Sequence, residues 1–247
     1  MKNFLYLLLL ITVSLQSVNA QWFSKERVLN NENFDKKRLR FGYTLGFNSY
    51  DYKIEYNERQ FTEPNPLTGD ERKDLIIGKG IGFNVGLLAN VRINDYFDIR
   101  FEPGVIFPNR DITYPDLQDR NFREIKATYV HLPLLLKIST KRLNNFKPFL
   151  IGGFSTSINL SSNEDNPDDN SVNQFRTKTS TNYYELGFGV DLYLPYFKFT
   201  PSIRGVFAMT DELVRDNPES FDGLPSEYTG QIDKFSTRGI FINFTFQ

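Results

Sequence analysis

The sequence predicts an all-β protein, an eight-stranded antiparallel up-and-down transmembrane β-barrel with short periplasmic turns and long extracellular loops. Three observations predict it. Apolar residues alternate with polar or small ones at period two over most of the chain. The connections between these stretches alternate long and short, as in a membrane barrel, whereas a soluble sandwich has no reason to alternate so regularly. The chain ends on an alternating strand, with Ile240, Ile242, Phe244 and Phe246 on one face.

The N-terminus sets the compartment. Lys2, the apolar run Phe4–Val13 and the small-residue site Ser17-Val18-Asn19-Ala20 match a secretory signal peptide over residues 1–20, cleaved near Ala20. The run falls short of the about 20 apolar residues a membrane helix needs. Gln21 follows the site, not cysteine, which argues against a lipid anchor. The chain is hydrophilic on average, which argues against a helical membrane protein but not against a barrel, whose lipid face is half of each strand.

Composition narrows the function classes. With no cysteine there is neither a disulfide framework nor a thiolate metal site, and the single His131 excludes a multi-histidine site within the chain. A formal net charge of −1 gives no reason to expect nucleic acid. No cofactor, metal site or catalytic residue is expected. The 24 Phe and 13 Tyr suit pleated surfaces and interfacial girdles.

Residues 21–37 read as a polar segment in the periplasm, and 38–247 as the barrel. Strand one, about Arg38–Tyr56, sets Leu39, Phe41, Tyr43, Leu45 and Phe47 against Arg40, Gly42, Thr44, Gly46 and Asn48. A long loop follows, with Pro64, Pro66 and Gly69 opposing regular structure. The hairpin Gly80–Phe107 has Ile81 to Ile93 at odd positions as one greasy face, turns at Asn94-Asp95-Tyr96, and resumes with Ile99, Phe101, Val105 and Phe107. A three-residue turn places Arg92 opposite Asp98.

After a second long loop, strand four sets Val130, Leu132, Leu134, Leu136 and Ile138 outward against Tyr129, His131, Pro133 and Lys137. Pro133 cannot donate to a ladder and implies a bulge or local gap. Strand five, about Phe146–Leu160, is apolar on both faces, so periodicity does not assign its inward side. Strand six sets Tyr184, Leu186, Phe188 and Leu192 outward and Glu185, Gly187, Gly189 and Asp191 inward. Leu194-Pro195 reads as a two-residue turn into strand seven, which would place Asp191 opposite Lys198 and Glu185 opposite Arg204.

The inward charges form the candidate site. Arg92, Arg100, Glu102, His131, Lys137, Glu185, Asp191, Lys198 and Arg204 carry both signs, and eight strands enclose a space that side chains just fill. Buried charges must pair, so they are expected to interlock as a plug, with inward glycines making room for the long chains. His131 is read as a satisfied lumen residue, since no motif pairs it with a nucleophile. The loop around Glu164, Asp165, Asp168 and Asp169 lacks the glycine and terminal glutamate of a calcium loop and is read as solvated. The fourth long loop carries Leu213, Val214, Phe221, Leu224 and Tyr228, an apolar set expected either to pack on itself or to contact a partner.

The strand Arg38-Leu39-Arg40-Phe41-Gly42-Tyr43-Thr44-Leu45-Gly46-Phe47-Asn48, the strand Tyr129-Val130-His131-Leu132-Pro133-Leu134-Leu135-Leu136-Lys137 and the phenylalanine-terminated last strand resemble the PorT/SprT group of outer-membrane barrels. The resemblance implies an integral outer-membrane, non-enzymatic component of the type IX secretion system, which serves protein export and, in gliding species, motility. It implies contact with outer-membrane lipid, with other type IX components and, during insertion, with the barrel assembly machinery. The last strand resembles the insertion signal of such barrels. A passive pore and a surface adhesion or structural protein are the competing expectations.

Overall fold

A computed structural model describes residues 28–56, 76–113, 121–124, 127–165, 176–215 and 232–247. Twelve strands occupy them: β1 Leu39–Tyr56, β2 Ile76–Lys79, β3 Gly82–Arg92, β4 Phe97–Phe101, β5 Gly104–Phe107, β6 Arg110–Thr113, β7 Asn121–Glu124, β8 Tyr129–Ser139, β9 Phe146–Asn159, β10 Ser180–Tyr193, β11 Lys198–Ala208 and β12 Ile232–Phe246. All pairings are antiparallel, and β1 pairs with both β3 and β12, so the large sheet closes on itself.

The ring has eight staves because β4 and β5 are one strand interrupted at Glu102-Pro103. The register with β3 and β8 is the same on both sides of the break, with Phe101 opposite Leu134 and Gly104 opposite His131. The gap expected at Pro133 is therefore real, and it shows as a lost ladder segment on the facing strand rather than as a bulge. Two prolines meet there: Pro133 and Pro103 donate nothing, while their carbonyls accept from Glu102 N (3.2 Å) and Leu87 N (2.9 Å).

Alternation sorts the wall as period two requires. Phe41, Leu87, Leu134, Phe154, Leu186 and Ile240 are exposed on the outside, and Arg40, Asn90, Lys137, Glu185, Arg204 and Asn243 are buried inside. In β9 the odd residues point inward, with Lys147, Phe149, Ile151, Ser155, Ser157 and Asn159 all buried. On the outside, stacked aromatics flank the last strand on both sides, Tyr43 on Phe246 at 5.1 Å across the seam with β1 and Phe199 on Phe244 at 6.0 Å across the pairing with β11.

Two expectations need correction. The β10–β11 turn spans Leu194 to Phe197, closed by Leu194 N donating to Phe197 O at 3.0 Å, so Tyr193 lies opposite Lys198 and Gly187 opposite Arg204. The register is offset by two residues from the expected one, which preserves every face but makes the Glu185–Arg204 and Asp191–Lys198 contacts diagonal. Residues between the staves also form more than loop: β2, β6 and β7 make a separate three-stranded sheet at the extracellular end. The loop prolines Pro64 and Pro66 lie outside the described residues.

Candidate functional site in the lumen and its mouths

The lumen fills in layers. At the extracellular mouth, Tyr52, Ala127, Leu213, Ile232 and Phe235 form a buried apolar cluster, with the Tyr52 and Phe235 rings 4.2 Å apart. Below it lie Tyr50, Ile106, Tyr183, Val206 and Phe241. Leu213 is 1% exposed because the chain dips inward at Glu212 and Leu213, between exposed Met209 and Arg215. Glu212 carries that dip, accepting from Thr237 N at 2.9 Å, Thr237 Oγ1 at 2.7 Å and Tyr183 Oη at 3.4 Å. Of the two expectations for this loop, self-packing or partner contact, Leu213 follows the first and packs on the chain's own core. Val214 is half-buried and donates its backbone N–H to Arg176 O at 3.1 Å. Phe221, Leu224 and Tyr228 lie outside the described residues.

The waist is an ion-pair network across four staves. Arg100 pairs with Glu102 at 2.6 Å, Arg204 with Glu102 at 3.0 Å and with Glu185 at 3.3 Å, and Glu185 accepts from His131 Nε2 at 2.8 Å. Asn243, with its amide oxygen towards Arg204, accepts from Nε and Nη2 at 3.1 and 2.7 Å. The other ring nitrogen, Nδ1, lies 2.7 Å from the Ser157 hydroxyl. His131 therefore does meet a serine, a pairing no motif announced, but both are buried and face the lumen, away from the lipid.

Below the waist, Asp191 accepts from Lys137 Nζ at 2.6 Å and Thr200 Oγ1 at 2.8 Å, with Lys198 Nζ 3.6 Å away. Lys137 also sits over the Phe149 ring at 4.0 Å. Eight of the nine expected charges thus interlock. Arg92 does not join them, although it lies opposite Asp98 as the three-residue turn requires. It is half-buried at the rim and bonds Asp95 and the Asp35 carbonyl, while Asp98 goes to Arg40 at 2.8 Å.

Two further cations are buried on the inward face: Arg40, which the strand-one alternation places there, pairs with Asp98 and Asp35, and Lys147, on a strand whose two apolar faces give no side, donates to the Asp95 carbonyl at 3.2 Å. Glycines make room for several kinds of neighbour. A Cβ on Gly187 would stand 2.6 Å from Arg204 Cγ, but one on Gly189 would meet the Phe149 ring at 2.6 Å, so only the first serves a charged chain. A void of about 20 Å³ remains beside Asn84, Glu102, His131 and Arg204, room for a single water.

The periplasmic mouth is covered by residues 28–36, a one-turn 3-10 helix at Phe34–Lys36 and the turn before it, where Asn31 takes a positive φ of 50°. Asp35 accepts from Arg40 Nη1 at 2.8 Å and Tyr193 Oη at 2.5 Å. Outside the wall, Glu164 was expected to be solvated, yet it accepts from Thr179 N at 2.7 Å. That bond holds its carboxyl below the ordinary value of 4.5.

Closed pairing, a greasy outside and a charged inside are the arrangement of a membrane barrel. Residues 19–214 match the family described as the outer membrane protein beta-barrel domain. The chain belongs to that family. It is an outer-membrane β-barrel protein. A search of curated proteins returns no match. Among solved structures, the barrel is similar to Neisserial surface protein A, at TM-score 0.44 and 10% identity over 85% of this chain and 98% of that one. It is also similar to the outer membrane protein OprG from Pseudomonas aeruginosa, at TM-score 0.39 and 14% identity over 84% of this chain and 93% of that one. For AlkL in lipid bilayers the values are 0.38 and 10%, over 91% and 92%.

Proposed function

We propose that this barrel is a non-conducting, non-enzymatic outer-membrane component of the type IX secretion system that acts by protein–protein contact. The single observation that carries the non-conducting part is the filled lumen: an ion-pair waist between two mouths, each covered by its own chain segment. A pore needs a continuous aqueous path, and opening one here would strand several buried charges, each costing several kcal/mol if left unpaired. The secretion role rests on the PorT/SprT resemblance of the first strand, the His131 strand and the last strand. On this reading the signal peptide of residues 1–20 is removed near Ala20. The last strand serves the barrel assembly machinery, and the external loops and periplasmic segment meet other type IX components.

Deleting the gene tests the secretion role. Export of type IX cargo is expected to stop, and normal export would overturn it. The barrel in planar bilayers tests the lumen: no steady conductance is expected, and ohmic steps of nanosiemens scale would refute a plug.

A further inference from the structure

The periplasmic lid is bound in the manner of a ligand. Its backbone is read by side chains from the turns: Asn145 Nδ2 donates to Val28 O at 3.0 Å, Arg142 donates to the Asn30 and Asn31 carbonyls, and Arg92 donates to Asp35 O at 2.6 Å. Its Asn30 and Asn31 amides donate to the Tyr193 and Leu194 carbonyls at 3.0 and 2.8 Å. Two side chains enter the mouth. Phe34 lies edge-on to Tyr193 at 6.4 Å, with Lys198 Nζ at 5.0 Å and the Arg40 guanidinium at 5.8 Å from its ring centre. The Asp35 carboxylate takes Arg40 on one oxygen and the Tyr193 hydroxyl on the other.

The wall around them is cationic. Below the waist, the buried wall charges are Arg40, Lys137, Lys147 and Lys198 against Asp98 and Asp191, so Asp35 supplies a third carboxylate that the staves do not. Arg40 is 5% exposed and Tyr193 is 1% exposed, so the carboxylate's partners are built into the wall rather than gathered from flexible surface.

We propose that the periplasmic mouth is a binding site for a peptide bearing an aromatic residue followed by a carboxylate, occupied in this state by the chain's own Phe34-Asp35. An acidic peptide segment of a periplasmic partner with that pair competes with the lid for the same groups. Arg40 and Tyr193 recognise the carboxylate, Tyr193 and Lys198 hold the ring, and Arg92, Arg142 and Asn145 read the backbone. The proposal deepens the contact reading above by naming the partner's chemistry. Its test uses purified full-length protein, so failed binding and failed secretion are separate results.

The probe is a fluorescein-labelled synthetic peptide spanning Val28 to Lys37, with a second version carrying Asn at the Asp35 position. The full chain with Phe34→Ala and Asp35→Ala is expected to bind the first peptide in detergent micelles, with the unchanged chain binding at least ~10-fold more weakly. The Asn peptide is expected to bind the variant at least ~10-fold more weakly, because it loses a charge-assisted bond to Arg40. Equal binding of the two peptides, or none to a variant that folds as a barrel, overturns the proposal. A measurement that needs no emptied site uses the absence of native cysteine. Val28 is 82% exposed, and a spin label on Val28→Cys is expected to gain mobility as unlabelled peptide saturates. Unchanged mobility at saturation also overturns it.

Discussion

The two halves of the lumen are closed by opposite chemistry. The extracellular half is mainly apolar, with Phe235 at 0% and Leu213 at 1% exposure in the cluster under residues 209–215, and its buried carboxylate, Glu212, is met by the neutral donors Thr237 and Tyr183. The periplasmic half is charged, and its lid is held by Asp35 on Arg40 and Tyr193. Apolar closure gains from every group removed from water and needs no exact partner. Polar closure is favourable only while each charge keeps its partner, because both sides were desolvated to meet. The extracellular lid, whose Glu212 meets neutral donors, is less sensitive to salt than the periplasmic lid, whose Asp35 meets the Arg40 cation.

The waist sets the scale for breaking either half. Glu185→Ala leaves Arg204 with Glu102 alone among its carboxylates and removes the acceptor for His131 Nε2. It is expected to lower the unfolding free energy in lipid vesicles by about 3–5 kcal/mol, as for a broken buried pair. A loss below ~1 kcal/mol would show that the waist is wet. Leu213→Ala tests the apolar mouth and is expected to cost about 3 kcal/mol, with the same value at low and high salt.

Asp35→Ala tests the polar mouth. A loss of about 1–2 kcal/mol is expected at low salt, because Arg40 keeps Asp98 and the leader keeps its amide bonds. Denaturant midpoints of variant and unchanged chain should converge as salt rises; a gap that ignores salt would erase the distinction between the two mouths.

The smallest effect lies outside the membrane. Folding lowers the Glu164 carboxyl below 4.5, so the stability it contributes is present above that pH and is lost as pH falls through the lower folded value. Glu164→Gln is expected to remove a few tenths of a kcal/mol at pH 7. The difference between the two proteins should vanish in acid unfolding curves below the folded value.

Period two and loop length made the staves and their faces legible from the sequence, since each side chain's side follows from its parity once a strand is recognised. Parity also kept the charge contacts right when the β10–β11 register was off by two, because an even offset preserves faces and a long Arg or Lys reaches the diagonal position. Where both parities were apolar, as in Phe149 and Leu150 of β9, the sequence held no side information. There the closed ring decided, by turning Lys147, Ser155 and Ser157 inward.

The lids were less legible for a different reason: the apolar fourth loop left self-packing and partner contact both open, and nothing in the sequence marked Asp35. Asp35 and Leu213 lie outside the staves, where no period constrains a side chain, and their roles depend on partners far along the chain, Tyr193 for one and Tyr52 with Ala127 for the other. The sequence by itself determined a barrel wall with charges inside and grease outside, because those properties are local and repeat. Only the tertiary structure decided that the chain closes its own two ends, the extracellular one around buried Leu213 and Glu212 and the periplasmic one through Asp35, because Tyr52, Ala127 and Tyr193 reach these residues only after the ring has brought distant staves together.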